Sequence, residues 1–316
     1  MQAIQLAYPG DTSVLTMHET PIPDCKNDEV LVRVAAVGLN YVDTLIRKGS
    51  HPVLKQFPAF MPGEVEGVIT TVGSDVPGLR PGQRVTGYSN AGYAQFALIS
   101  ASEVTVLPDD LPLGQGMMIQ HLTAQNLLHT SKSYASVLIT AAAGGVGSST
   151  VRIARLKGIP MIIGLTSSLD KAPYIRSLGA THVIIYTQND WQEQISAITN
   201  NNGVDLILES VGGTIGSALL TQLSRGGTMV VYGNSSGQPS PVTLQSVIMS
   251  NTTITSSRLY ATPLALRKQW ADEIIQWIQS KQLEVAITAY PLAQAGKAHD
   301  DMEKRASTGR LILTPF

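Results

Sequence analysis

Val137-Leu138-Ile139-Thr140-Ala141-Ala142-Ala143-Gly144-Gly145-Val146-Gly147-Ser148-Ser149 decides the fold. A short, almost unbroken apolar run belongs to a strand covered on both faces, which is the environment of a parallel sheet flanked by helices. The run enters a glycine-rich turn, and Val151 to Lys157 then supply helix-forming residues. In a dinucleotide-binding turn, glycines permit the tight bend, let the backbone approach a pyrophosphate and bring helix and strand close together. Here the pattern is Ala142-x-Gly144-x-x-Gly147, with alanine in the place of the first glycine. Amide groups at the helix start, aided by the helix dipole, would face the phosphates. The plainer reading is a turn that only packs helix on strand. A P-loop would need Gly-Lys-Ser/Thr after the glycines, and that ending is absent.

Outward from this stretch, further apolar strands are expected at Met161–Leu165, His182–Tyr186, Asp205–Glu209 and Thr228–Tyr232. They alternate with helix-length segments such as Ser148–Leu156 and Asp190–Thr199, which predicts a doubly wound α/β fold with a parallel sheet. Before Pro112 the text is different. Short strands such as Val30–Gly38 and Gly67–Gly73 are broken by Pro- and Gly-rich turns, Ser74-Asp75-Val76-Pro77-Gly78 among them, and this predicts a separate β-rich domain. Past about Asn251 the alternation weakens. A helix over Leu264–Gln279 and a closing strand at Arg310–Leu313 are expected to return to the first domain.

The end of the second apolar strand bears on which cofactor fits. An acid about 20 residues past the glycines would hold the ribose hydroxyls of NAD. The chain has Gly164-Leu165-Thr166-Ser167-Ser168-Leu169-Asp170-Lys171 instead, with hydroxyls first and a lysine one turn later. Either Ser167 and Lys171 bind a 2'-phosphate, which favours NADP, or Ser167 or Ser168 caps the helix and Lys171 is a solvated charge. Asp170 is expected on the helix rather than at the strand end.

Composition narrows the remaining possibilities. A net charge of -1 with 14% charged residues gives no strong pull toward nucleic acid or anionic membrane, so neither is expected as a partner. A single cysteine, Cys25, allows no intramolecular disulfide and no Cys-rich metal site. The start has no basic region followed by a long apolar stretch, and no apolar run approaches the about 18 residues that span a bilayer. A cytoplasmic, soluble protein is the expectation.

Several segments together resemble the zinc-free, zeta-crystallin-like quinone oxidoreductase branch of the medium-chain dehydrogenase/reductase superfamily. They are Gly38-Leu39-Asn40-Tyr41-Val42-Asp43-Thr44-Leu45-Ile46-Arg47-Lys48-Gly49, Pro62-Gly63-Glu64-Val65-Glu66-Gly67, Gly78-Leu79-Arg80-Pro81-Gly82-Gln83-Arg84-Val85, Ala141 to Gly147, and Gly233-Asn234-Ser235-Ser236-Gly237. The resemblance covers nearly the whole chain. It implies a GroES-like, β-rich catalytic domain over 1–113, a Rossmann NADPH-binding domain over 114–255, and a return segment over 256–316 that completes the catalytic domain. It also implies that Gly144, Gly145, Val146 and Gly147 hold the pyrophosphate, that Ser167, Lys171 and Tyr186 surround the 2'-phosphate, and that Ser210, Gly233, Asn234, Ser235 and Arg305 approach the cofactor. Asn40, Asp43 and Thr123 would border the nicotinamide end, with the proton delivered by solvent or by a weak donor such as Tyr41. Each has a plain alternative: Asn40 and Asp43 as turn formers, Thr123 and Ser210 as caps.

Zinc members of the superfamily carry Gly-His-Glu where this chain has Pro62-Gly63-Glu64, and a four-cysteine lobe for which Cys25 has no partners. No metal is therefore expected. Some members of the branch have tyrosines where this chain has Leu45 and His51, which points to a different acceptor pocket. The implied activity is NADPH-dependent hydride transfer to quinones or related electron-poor carbonyls. Rivals are an enoyl-thioester or alkenal reductase on the same scaffold and a non-catalytic NADPH sensor. A homodimer is also implied, pairing an edge strand near Thr252–Ser256.

Overall fold

The computed structural model describes residues 1–129 and 133–316. The chain forms two compact units: Met1–Gln120 with Ala271–Gln282 and Ala286–Phe316, and His121–Trp270 with Leu283–Val285. Among the described residues no helix is long and apolar enough to cross a membrane.

The first unit begins with β1 (Gln2–Leu6), β2 (Leu15–Glu19), β3 (Glu29–Gly38), the short helix α1 (Tyr41–Arg47), β4 (Ala59–Phe60), β5 (Gly63–Val72), β6 (Arg84–Ser89), β7 (Phe96–Ser100) and β8 (Thr105–Val106). Along β3, Val32, Val34 and Ala36 are buried while Arg33 and Ala35 are exposed, the period-two alternation of a strand with one face on a core. Its antiparallel pairing with β5 shifts register twice, between Leu31 and Val32 and between Val34 and Ala36. Val30, Val32, Val34, Val65, Ile69 and Val85 build the core of this unit.

Helix α2 (Ile119–Leu127) leads into β9 (Ser136–Ile139), α3 (Gly145–Leu156), β10 (Met161–Thr166), α4 (Ala172–Ser177), β11 (His182–Ile185), α5 (Trp191–Ile198), β12 (Val204–Glu209), α6 (Gly213–Leu219), β13 (Leu223–Val231), α7 (Leu244–Ser250) and β14 (Thr253–Ser256). The six strands lie in the order β11-β10-β9-β12-β13-β14, and every pairing is parallel. The expected apolar strands are all present. The first stops at Ile139 rather than Ala142, because Ala141 turns the chain with a φ of 49°. Leu138, Ile163, Leu165 and Ile207 fill the core with Trp191, Ile195 and Leu219 from the covering helices.

The chain then runs through α8 (Leu264–Gln279), as expected, to β15 (Ile287–Pro291), α9 (Ala295–Glu303) and β16 (Arg310–Thr314). β16 closes onto β3 at Ile312↔Gly38 and pairs in parallel with β15. The units divide at 120 and 270, later than the 113 and 255 expected, for reasons visible in each unit. Gly114 N–H donates to Glu66 Oε2 at 3.0 Å and Ile119 N–H to Glu64 Oε1 at 2.7 Å, so residues 114–120 stay on the first unit. Asn126 bonds Ser257 at 2.7 Å and Thr262 at 3.0 Å, and the His129 and Trp270 rings lie 5.0 Å apart, so residues 256–270 stay on the second.

Arg310, 1% exposed, donates to Gln120 Oε1 at 3.0 Å and to the carbonyls of Gly114 and Gln115. Its charge also acts on both Glu64 and Glu66. Replacing it by leucine strands buried acceptors, so Arg310→Leu is expected to cost about 3–5 kcal/mol, read as a lowered urea midpoint. A loss below about 1 kcal/mol would show that the cluster is not what holds the closing strand.

Candidate functional site

The glycine turn is built by close approach. A Cβ on Gly147 would overlap the Ala141 carbonyl oxygen and crowd Ala142 Cα at 2.8 Å, so only glycine lets α3 lie this near the end of β9. The left-handed residue of the turn is Ala141; Ala142, in the first glycine's place, donates its N–H to the Leu165 carbonyl at 3.1 Å. Ser148 N–H to the Gly144 carbonyl, at 2.8 Å, is the first helical bond. The amides of Gly145, Val146 and Gly147 precede it and stand at the positive end of a twelve-residue helix, a place suited to an anion.

The other strands of this sheet end beside the turn. Thr140 Oγ1 accepts from Ser210 N–H at 2.9 Å, tying β9 to β12, where the strand order reverses. Ser210 in turn accepts from Ser235 N–H at 2.8 Å. A Cβ on Gly233 would sit 3.1 Å from Ser210 Cβ, so the chain after β13 is pressed against the chain after β12. Asn234 Oδ1 accepts from Ser236 Oγ at 3.2 Å. Glu209 holds the 210–212 turn by accepting from Val211 and Gly212 at 2.6 and 3.0 Å, and burial raises its pKa. Burial also pushes the Tyr232 phenol up to about 12, against its hydrogen bond to Ser210. Neither cap reading is realised. Ser210 precedes Gly212, the residue at the N-cap of α6, and Thr123 lies in the interior of α2.

Ser167, Lys171 and Tyr186 are half-buried at the ends of β10 and β11. Tyr186 N–H donates to the Thr166 carbonyl at 3.0 Å and Thr187 Oγ1 to the Ser167 carbonyl at 3.1 Å, which fixes the two strand ends side by side. Ser168 occupies the N-cap of the 3-10 turn Leu169–Lys171 without a side-chain cap bond, and Asp170 is exposed on that turn. The serines are thus free of the capping duty that the bland reading gave them.

Asn40, Tyr41, Asp43 and Arg305 belong to the first unit. Asn40 is the N-cap of α1; its N–H donates to Asp43 Oδ2 at 2.9 Å, and its side chain bonds Glu64. Asp43 is therefore a turn former, 1% exposed. Tyr41 is half-buried in the first turn. Arg305 is exposed and takes a φ of 55° where α9 ends, its N–H donating to the Met302 carbonyl at 3.1 Å. His51 Nδ1 accepts from Val53 N–H at 3.4 Å within its own loop.

Sequence reading missed two residues here. Tyr93 donates its hydroxyl to Asp43 Oδ2 at 3.0 Å, and His299 Nε2 lies 3.0 Å from the same hydroxyl. Burial drives the Asp43 pKa up to about 7, against the bonds from Asn40 and Tyr93 that pull it down. Burial and the nearby Arg47 charge take His299 down to about 3.

A family model described as alcohol dehydrogenase GroES-like domain matches residues 26–128, and one described as zinc-binding dehydrogenase matches residues 145–280. The chain is 31% identical over 324 residues to a quinone oxidoreductase of Sus scrofa, covering 99% of this chain and 97% of that one. It superposes on the Escherichia coli quinone oxidoreductase complexed with NADPH with a TM-score of 0.91 at 29% identity, over 100% of both chains. The CurK enoyl reductase gives a TM-score of 0.86 at 26% identity, over 99% of this chain and 98% of that one.

Asp43 and His299 oppose each other in the response of stability to pH. With a folded pKa near 7 against an ordinary 3.8, Asp43 retains a proton that the unfolded chain has lost, so its contribution falls as pH rises through that window. His299, about 3 against 6.5, contributes stability above 6.5 that is lost as pH falls toward 3. Asp43→Asn is expected to leave the His299 slope unmasked, and His299→Gln the reverse slope. Relative to wild type, each variant should show a change of about 1–3 kcal/mol between pH about 4.5 and 6.5, with opposite signs in urea titrations. Identical slopes in all three proteins would remove both groups from the acid response.

Proposed function

We propose that this chain, which belongs to the quinone oxidoreductase branch of the medium-chain dehydrogenase/reductase family, binds NADPH at the carboxyl edge of its six-stranded sheet and reduces quinones or related electron-poor carbonyls without zinc. The observation that carries the reading is the set of strand ends around the glycine turn, with hydroxyls and a lysine after β10 where an NAD site would present an acid. The cradle suits a dinucleotide: Gly147 brings the α3 amides close, and Gly233 lies flat against Ser210. In this reading Gly144, Gly145, Val146 and Gly147 hold the pyrophosphate and Ser167, Lys171 and Tyr186 hold the 2'-phosphate. Ser210, Asn234 and Ser235 orient the remainder of the cofactor.

NADPH, when bound, supplies the hydride. The protein orients the acceptor, excludes water and donates hydrogen bonds to the oxygen that gains charge. Asn40, Tyr41, Thr123 and Arg305 are assigned to acceptor and cofactor by resemblance; the proton that completes the reduction comes from solvent or from the Tyr41 hydroxyl. Asp43, being buried, serves by holding Asn40.

Zinc does not fit the place it takes in relatives that carry Gly-His-Glu. By the resemblance Gly63 stands where their histidine stands, and a Cβ there would lie 2.8 Å from Tyr93 Cε2 and 3.2 Å from Val37 Cγ1, so a histidine would have to displace the buried ring, which supports the reading without zinc. Among the described residues no group of three or more His, Cys, Asp or Glu is arranged to hold a metal ion. The likeness to an enoyl reductase keeps a second acceptor class in view, so the deciding assay is NADPH against NADH binding followed by a panel of quinones and enones in the same cuvette. Quinone turnover with NADPH is the expected result, enone-only turnover supports the second class, and binding without turnover supports a sensor.

The same reading includes a homodimer. Among the described residues β14 pairs only with β13, and the neighbouring α7 exposes Leu244, Ile248 and Met249 at 83%, 71% and 76%. Lys171→Ala is expected to weaken NADPH binding about tenfold while changing NADH binding less than about twofold; equal losses for both would show that Lys171 does not read the 2'-phosphate. Leu244→Glu combined with Ile248→Glu is expected to shift sedimentation from a two-chain to a single-chain mass. A wild-type protein that sediments as one chain across a wide concentration range would end the dimer proposal.

A further inference from the structure

Beneath the Asn40–Tyr41 turn lies a chain of buried hydrogen bonds that the hydride-transfer reading does not use. Tyr93, 1% exposed and just ahead of β7, places its hydroxyl between Asp43 of α1 and His299 of α9, at 3.0 Å from each. The direction of the chain follows from the donors available. The phenol has one proton, and it goes to Asp43 Oδ2. His299 is neutral, so its ring carries one N–H, and that N–H must be at Nε2 for the contact with the phenolic oxygen to be a hydrogen bond. Nδ1 is then the acceptor nitrogen, buried without a partner. Asp43 Oδ2 accepts a second bond from Asn40 N–H.

The result is a directed series from His299 to Tyr93 to Asp43, with Asn40 held at its end. Asn40 is gripped twice, by its backbone on Asp43 and by its side chain on Glu64. The groups facing Asp43 are Asn40, Tyr93 and Glu64 from β5; Arg47 from the last turn of α1 acts on Tyr93 and His299 and pairs with Glu303 of α9 at 2.7 Å. A phenylalanine at 93 would fill the same core with no buried polar atom of its own, so packing gives no reason for the hydroxyl.

We propose that Tyr93 and His299 are positioning residues, fixing the Asn40–Tyr41 turn for the acceptor through the carboxyl group of Asp43. This rests on the reductase reading for its purpose, but the clamp has a readout of its own.

The experiment compares Tyr93→Phe, His299→Leu and His299→Gln with wild type in the full-length protein. Glutamine keeps an amide that can donate to Tyr93; leucine does not. Amide hydrogen exchange over residues 40–47 is expected to speed up about tenfold in Tyr93→Phe and His299→Leu, with β3 and β5 unchanged, and to stay within about twofold of wild type in His299→Gln. The kcat for quinone reduction should fall about tenfold in the first two variants with NADPH affinity unaltered, and recover in the third. Unchanged exchange over 40–47 in Tyr93→Phe overturns the clamp. Faster exchange with unchanged kcat overturns the positioning role and leaves only a structural one. Failure of the reductase reading shows separately, as absence of quinone turnover in the wild-type protein.

Discussion

Glu64 and Glu66 lie two residues apart on β5, so their side chains leave the same face of the strand, and both are buried, at 2% and 0% exposure. Two carboxylates so placed would each lose several kcal/mol of hydration unless opposite charge and hydrogen-bond donors met them. Arg84 from β6 pairs with Glu66, Arg310 from β16 acts on both, and the amides of Gly114 and Ile119 complete the set. One electrostatic requirement thus draws together the early strands, the last strand and the segment that leaves the first unit. Because Glu64 also holds the Asn40 side chain, the same requirement reaches the turn assigned to the acceptor.

The second unit solves its problem by a different kind of force. Its strand ends carry few charges, and what aligns them is backbone proximity: Gly147 against Ala141, Gly233 against Ser210, Thr140 Oγ1 on the Ser210 amide. In a parallel sheet the connections diverge where the strand order reverses, here between β9 and β12, and the carboxyl ends at that point are left to line a crevice. Small residues and hydroxyls suit such a place because a phosphate-bearing ligand is met by backbone amides, which need close approach more than they need side chains.

This difference explains what could be read from the sequence. The second unit is local in its logic: apolar runs bounded by glycines and hydroxyls mark each strand, and the residues proposed for the cofactor lie within a few positions of a strand end. Its strands were legible for that reason, and α8 and the closing β16 were legible from their own apolar patterns. The left-handed conformation of Ala141 was not, since glycine patterns say where a tight turn is needed and not which residue absorbs it. The first unit is non-local. Tyr93 and His299 are 206 positions apart, and Arg310 reads in sequence only as the start of a strand, with nothing nearby to suggest that its guanidinium is buried. Unit boundaries are non-local too: Pro112 and Leu113 mark a change of composition, whereas the bonds of Glu66 to Gly114 and of Glu64 to Ile119 hold the next residues on the first unit.

Tyr93 joins the two arguments. Its ring packs against Gly63, the position at which zinc relatives carry a histidine, and its hydroxyl carries the link from His299 to Asp43. These are not separable properties of the residue. A side chain at position 63 would have to displace the ring, and moving the ring takes the hydroxyl away from Asp43. Asp43 would then retain a single donor, Asn40 N–H, in a site where burial already disfavours its charge. The ring position that a side chain at 63 would disturb is therefore the same position from which Tyr93 bonds Asp43, the acceptor of Asn40 N–H. The turn proposed to face the acceptor is thus held by hydrogen bonds, through its backbone on Asp43 and its Asn40 side chain on Glu64.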